Sequence, residues 1–368
     1  MGRCRFCERS GKTISDVIGF CSDCIRRHFS EVWPEISRVH ARSRKAYGLP
    51  TEPPRDPEGV SCNICFNRCR IPEGQSGFCG LRQARDGRLK GGRPHEGNLS
   101  FYHDPLPTNC VASFVCPAGT GCGYPQYACT KGPERGYQNL AVFYHGCAFN
   151  CLYCQNYHFK GKTFFPVKFH ARDLAKAADE TTSCICYFSG DPGPKILHAL
   201  RTATLAIKRK RDEILRICWE TNGSVNQPYL NMMAQASLQS GGCIKCDLKA
   251  WDEGLHKALC GVTNGKTLRN FQTLSKLISY RPEPPFLIAS TLLVPGYVDE
   301  QEVDGIARFL SALDPDIPYS LLGFHPAFYL NDLPVTSRAH ALRCQEIARR
   351  AGLRRVHIGN KDMLGEDY

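Results

Sequence analysis

The stretch Leu140-Ala141-Val142-Phe143-Tyr144-His145-Gly146-Cys147-Ala148-Phe149-Asn150-Cys151-Leu152-Tyr153-Cys154 joins an apolar run to a loop holding three cysteines. The run reads as a buried strand, and the loop follows it directly. A C-x3-C-x2-C spacing lets three thiolates wrap one iron–sulfur cubane from a single loop. Three ligands for four irons leave one iron open, as an enzyme needs when a small molecule must coordinate its cluster. A structural zinc loop would want a fourth protein ligand, and none stands nearby in the sequence.

Downstream, apolar strand-like runs alternate with helical periodicity. Strands are expected at 140–144, 184–188, 215–220, 243–248, 286–293 and 319–324. Helices are expected at 171–180, 196–210, 227–240, 266–280, 300–313 and 337–351. Six β-α units in a row predict a parallel sheet with helices outside. They are too few for a closed eight-fold barrel, so the predicted fold is α/β, a partial (β/α)6 half-barrel. In such folds chemistry gathers at the C-terminal ends of the strands.

Small Cys-rich metal-binding segments precede the barrel. Residues 1–47 carry Cys4-x2-Cys7-x13-Cys21-x2-Cys24 and then a helical stretch through Trp33 and Ile36, a Cys4 module of zinc-ribbon or rubredoxin type. Residues 48–60, opening with Gly48-Leu49-Pro50-Thr51-Glu52-Pro53-Pro54, read as a linker. Residues 61–138 form a Cys-, Gly- and Pro-rich segment, and 139–368 the partial barrel.

The 22 cysteines among 368 residues are the informative count. Neighbours in C-x2-C spacing rarely pair in disulfide geometry but chelate metal easily. Clusters of that kind are oxygen-sensitive, which fits an anaerobic or reducing host. Cys4, Cys7, Cys21 and Cys24 offer tetrahedral sulfur to zinc or a single iron. Cys62, Cys65, Cys69 and Cys79 offer a second site, for zinc or an auxiliary 4Fe–4S cluster. Cys110, Cys116, Cys122 and Cys129 form a looser set that would place a third cluster facing the substrate cavity. Cys184, Cys186, Cys218, Cys243, Cys246, Cys260 and Cys344 are expected in the core as small hydrophobes.

Lysine plus arginine exceed aspartate plus glutamate by 47 − 35 = 12. The basic residues are dispersed, and the densest run, Lys208–Arg211, reads as a solvated helix end, so nucleic acid is not an expected partner. No stretch approaches the ~20 apolar residues of a membrane-spanning helix. With no signal-peptide run at the N-terminus either, a cytoplasmic protein without membrane insertion is expected.

A C-x3-C-x2-C loop after the first strand of a six-fold half-barrel resembles the radical S-adenosylmethionine superfamily over residues 139–360. The resemblance implies a 4Fe–4S cluster on Cys147, Cys151 and Cys154, with S-adenosylmethionine on the open iron. It implies reductive cleavage to a 5′-deoxyadenosyl radical, which abstracts hydrogen from a substrate. Tyr153 matches the family's aromatic residue against adenine. Ser189-Gly190-Asp191-Pro192 resembles the family's GGEP motif, with Ser and Asp replacing its first Gly and its Glu. Glu220-Thr221-Asn222 ends the third strand, where the family contacts ribose and carboxylate. Asp247-Leu248-Lys249 ends the fourth. Asp247, Lys249 and His325, which ends the sixth, are the expected catalytic groups, with Asp247 also facing the cofactor.

The D-x-K segment and TNG turn look most like the pyruvate formate-lyase activating enzyme branch. The Cys62–Cys79 leader looks like the AmmeMemoRadiSam type. A reductant such as ferredoxin or flavodoxin is implied, along with an unnamed substrate. One alternative is an activase that places a glycyl radical on a partner protein. Another, of a different class, is a zinc or iron–sulfur module that binds nucleic acid or carries electrons.

Overall fold

The computed structural model describes residues 1–165, 168–366 and 368. Its frame is one sheet of eight strands among the described residues: β1 (Leu99–Pro105), β2 (Gln138–Tyr144), β3 (Thr182–Phe188), β4 (Arg216–Thr221), β5 (Ile244–Asp247), β6 (Leu287–Leu293), β7 (Tyr319–Gly323) and β8 (Val356–Gly359). Each strand pairs with its sequence neighbour, so spatial order follows chain order. β2 to β8 run parallel, and β1 pairs antiparallel with β2 from Leu99 opposite Tyr144 to Pro105 opposite Gln138.

The outer layer is helical: α1 (Ser22–Arg27) and α2 (Phe29–Lys45) at the N-terminus, then α3 (Ala171–Lys176), α4 (Ile196–Arg209), α5 (Gln227–Ser240), α6 (Glu253–Cys260), α7 (Gly265–Ser275), α8 (Glu300–Leu313) and α9 (Arg338–Arg350). Outward strand residues pack against these helices and inward ones line the concave side, following the two-residue period. On β4, Trp219 donates its indole N–H to Met233 O of α5 at 3.2 Å, whereas Arg216, Cys218 and Glu220 face the interior.

The half-barrel carries two strands beyond the six expected. β8 is only four residues long. β1 comes from the Cys-rich segment, where Gly and Pro on either side obscure its alternation. The loop after β1 crosses the concave side toward the far edge of the sheet. There Phe114 stacks on His357 of β8 at 4.5 Å and Asn109 Nδ2 donates to Asn360 Oδ1 at 3.1 Å.

The N-terminal segment docks on the same frame. Arg26 of α1 pairs with Asp299 at 2.7 Å and with Glu302 of α8 at 3.1 Å. Tyr297 Oη accepts from Ser15 N at 3.0 Å and donates to Phe20 O at 3.1 Å. A side chain at Gly296 would begin 2.1 Å from Thr13 O, so glycine there allows the close approach.

Candidate radical-cluster site

The motif loop leaves β2 at Tyr144 and is held from both sides. Asn150 N and Leu152 N donate to Cys260 O and Leu259 O at the end of α6, each at 2.9 Å. The Asn150 amide contacts His40 Nδ1 at 3.0 Å and Ser43 Oγ at 2.8 Å on α2, and its Oδ1 accepts from Lys160 Nζ at 2.7 Å. The N-terminal helices thus buttress the loop that carries the three cysteines.

Cys147, Cys151 and Cys154 line one pocket of about 180 Å³ at the C-terminal ends of the strands. Tyr153, Ser189, Gly190, Asp191, Glu220, Thr221, Asn222, Asp247 and Lys249 line it with them. Pro192 is buried just behind, and His325 is exposed and outside the pocket. His325 Nδ1 lies 3.0 Å from Pro326 O. The structure therefore does not bring His325 together with Asp247 and Lys249 in this pocket.

The strand-end turns interlock through Asp191. Its Oδ1 accepts from Thr221 Oγ1 at 2.7 Å and Asn222 N at 3.0 Å, and its Oδ2 from Gly193 N at 2.9 Å. Burial pushes this carboxyl up to about 6 despite those donors. Ser189 and Gly190 both take positive φ, 47° and 66°, which turns consecutive backbone amides along the pocket wall. Asn222 Nδ2 reaches Cys147 Sγ at 3.5 Å. Asp247 accepts from Ser290 Oγ at 2.8 Å and from Lys249 Nζ at 2.9 Å.

Charge at the thiols is balanced by cations. A hydrogen bond from Cys260 pulls Cys151 down to about 7 against burial, and Lys249 and Lys160 favour the same anion. Burial and nearby Arg44 lower Lys160 to about 8. Three converging soft donors, faced by two ammonium groups, fit an anionic iron–sulfur cluster. Cys260 Sγ lies 3.6 Å from Cys151 Sγ but behind it, outside the pocket lining.

Lys160, Asn150 and Cys260 escaped the sequence reading. A polar Asn inside the otherwise apolar spacer of the motif was the available signal. The other cysteine sets differ in their gathering. The Cys4, Cys7, Cys21 and Cys24 sulfurs all lie within 4.8 Å of one another, with Cys7 and Cys21 at 3.8 Å. Tetrahedral Zn–S bonds of ~2.3 Å put sulfurs ~3.8 Å apart, so the set fits one ion. Cys62, Cys65, Cys69 and Cys79 line one small cavity together. The third set is split: Cys110 and Cys116 line a cavity inside the barrel, and Cys122 and Cys129 do not. Cys122 Sγ instead donates to Glu283 at 3.2 Å, because the chain leaves the barrel after the short helix Pro117–Thr120. The structure thus brings Cys110 and Cys116 together but does not gather all four of that set.

Comparison with known proteins agrees with the site. The Radical SAM superfamily model matches residues 141–310. A Methanocaldococcus jannaschii protein whose name proposes a glycyl-radical enzyme activating enzyme is 28% identical over 186 residues, 50% of this chain and 67% of that one. An uncharacterized protein of the same organism is 24% identical over 314 residues, 83% of this chain and 82% of the other. The isethionate sulfite-lyase activating enzyme of Desulfovibrio desulfuricans is 34% identical over 80 residues, 22% of this chain and 24% of that one. Among solved structures, a domain of a pyruvate-formate lyase-activating enzyme from Bacteroides vulgatus superposes at TM-score 0.38 with 21% identity, covering 48% of this chain and 98% of that one. Superposition that loose carries no weight, and the assignment rests on the sequence match and the motif. The family match spans the motif loop and the strand ends that surround it, so residues 141–310 are similar to the radical SAM superfamily, and that likeness together with the activating-enzyme relatives supports an enzyme.

Proposed function

We propose that Cys147, Cys151 and Cys154 hold a 4Fe–4S cluster and that S-adenosylmethionine occupies the pocket beside it. The reading is carried by one observation: three thiols, two lysines and a polar strand-end rim share a single pocket. Members of the family use this cluster and this cosubstrate. When bound, the cluster supplies the electron that splits the sulfonium into methionine and a 5′-deoxyadenosyl radical able to abstract hydrogen from a substrate.

The chain's own groups have separable tasks. Asn222 hydrogen-bonds the Cys147 sulfur. Lys160 and Lys249 offset the charge of the thiolates. Asp191 spends its oxygens on chain donors, so it acts as the clamp that sets the Thr221–Asn222 turn. The Ser189–Gly190 amides are left to face the methionine carboxylate, and Asp247 and Glu220 to face cationic and hydroxyl groups. Tyr153, fully packed with its hydroxyl 3.5 Å from Cys260 Sγ, presents its ring to adenine.

The relatives named as activating enzymes favour a second reading, in which hydrogen is taken from a glycine of a partner protein. Under either reading, a net charge of +12 would attract an acidic electron carrier of the ferredoxin or flavodoxin kind. Electron paramagnetic resonance of the dithionite-reduced protein tests the site. A signal that S-adenosylmethionine shifts, and that the Cys147→Ala/Cys151→Ala/Cys154→Ala variant lacks, is expected. A signal indifferent to S-adenosylmethionine would contradict the proposal.

A further inference from the structure

Beneath this pocket lies a second space that the proposed reaction does not use. Inward positions of small barrels ordinarily carry bulky branched side chains that fill the interior. Here β3 places Cys184 and Cys186 inward, β4 places Cys218, and Cys243 lies just before β5. These four, with Cys110 and Cys116 from the crossing loop, line a cavity of about 360 Å³. Cys186 stands directly beside Cys218 in the parallel register.

The cavity also holds a buried cation. Lys245 Nζ donates to Cys110 Sγ at 3.1 Å and to Cys186 Sγ at 3.0 Å, and lies 3.2 Å from Glu220. Arg216 reaches the same lining while paired with Glu134 at 2.6 Å. A thiol serving as a small hydrophobe accounts for Cys246 and Cys344, which pack in the core away from the cavity. It does not account for six thiols sharing one lining with an ammonium group. Apolar filler would close the space rather than leave it lined by sulfur.

The spacing selects the occupant. Among the described residues only Cys4, Cys7, Cys21 and Cys24 gather as closely as a single tetrahedral ion requires. The inner thiols surround a larger volume, and soft thiolates select zinc, copper(I) or iron–sulfur centres. We propose that the barrel interior holds a polynuclear iron–sulfur cluster on thiolates drawn from Cys110, Cys116, Cys184, Cys186, Cys218 and Cys243, with Lys245 offsetting its negative charge. The cluster is delivered preformed from a thiolate carrier by ligand exchange: each ligating thiol gives its proton to the departing carrier thiolate or to solvent as its sulfur–iron bond forms and the carrier's sulfur–iron bond breaks, so the transfer is redox-neutral. Phe188 and Glu220 line both this cavity and the Cys147 pocket, so the centre lies one residue layer from the proposed S-adenosylmethionine site.

The proposal stands apart from S-adenosylmethionine cleavage, and its test is made where that cluster is absent. Iron and acid-labile sulfide are counted per chain in the Cys147→Ala/Cys151→Ala/Cys154→Ala protein, with and without Cys186→Ser plus Cys218→Ser. The added pair should lower both counts by about four, one cubane. If the pair unfolds the sheet, as circular dichroism would reveal, Cys110→Ser plus Cys116→Ser on the loop should give the same loss with the sheet intact. Cys344→Ser should change neither count. Iron and sulfide unchanged by removal of the inner thiols overturns the proposal.

Discussion

Replacing Gly190 with alanine tests how tightly the pocket wall is set. Gly190 sits at φ 66°, and an added Cβ would begin 1.9 Å from Tyr144 O, 2.9 Å from Tyr144 C and 3.0 Å from Gly146 O. All three are backbone atoms of β2 or the motif loop, so no flexible side chain can give way. Reaching an ordinary carbon–oxygen contact of ~3.3 Å needs an opening of ~1.4 Å between the two turns. The left-handed backbone costs ~1–2 kcal/mol for a residue with a Cβ, and the forced repacking ~1–3 kcal/mol more. The total of ~2–5 kcal/mol corresponds to a melting temperature lower by roughly 3–6 °C for a chain of this length, at ~2.1 cal/mol/K of unfolding entropy per residue. A displacement above ~1 Å at reacting groups costs ~100-fold in rate, so 5′-deoxyadenosine formation should fall by that order. Gly132→Ala, whose added Cβ meets nothing within 4 Å, is the control. Thermal unfolding and product formation would be compared across the three proteins. A Gly190→Ala enzyme as stable and active as Gly132→Ala would refute the argument that this turn is sterically fixed.

Further outcomes follow from buried charge and from metal. Arg216→Met should destabilise the fold by ~3–5 kcal/mol in denaturant titration, because Glu134, which it holds at 2.6 Å, is left buried without its cation. Burial lowers His40, His198 and His256 from 6.5 to about 4 each, so they stay neutral when folded but take protons in the unfolded chain. Their contribution is present above pH ~6.5 and lost as pH falls toward 4, so stability measured at pH 5 should be lower than at pH 7 by ~2 kcal/mol per histidine. Lys249→Met removes the ammonium 2.9 Å from Asp247 and should weaken S-adenosylmethionine binding roughly tenfold to a hundredfold by calorimetry. Cys21→Ser should release one metal ion per chain without any sulfide, read by elemental analysis.

The half-barrel was legible because each unit announced its period and its ends. The helix expected at 227–240 is Gln227–Ser240, opened after Asn226 and stopped at Gly241 with φ 78°. The helix expected at 300–313 is Glu300–Leu313, whose N-cap Asp299 accepts from Glu302 N. The missed elements lacked such marks. β1 lies among Gly and Pro, and α6 follows β5 after only a five-residue turn that reads as loop.

Site legibility divided along a similar line. The motif cysteines announced themselves by spacing within one loop. The inner thiols did not, since strands buried on both faces read as continuous apolar runs. In Cys184-Ile185-Cys186-Tyr187, sequence alone cannot tell which alternate residues face a cavity and which face helices. The charged Arg216, Glu220 and Lys245 within otherwise apolar strands hinted that the interior is not plain core. His325 lies two residues beyond the end of β7, close to the strand ends in sequence, yet its side chain is exposed and outside the pocket.

The most direct test of the central claim is to count 5′-deoxyadenosine. The protein would be purified without oxygen, its clusters reconstituted, and dithionite and S-adenosylmethionine added, beside the Cys147→Ala/Cys151→Ala/Cys154→Ala variant. The account expects product from the intact chain and none from the variant. Product formed equally by both proteins, or a colourless protein that holds zinc and forms none, would contradict it.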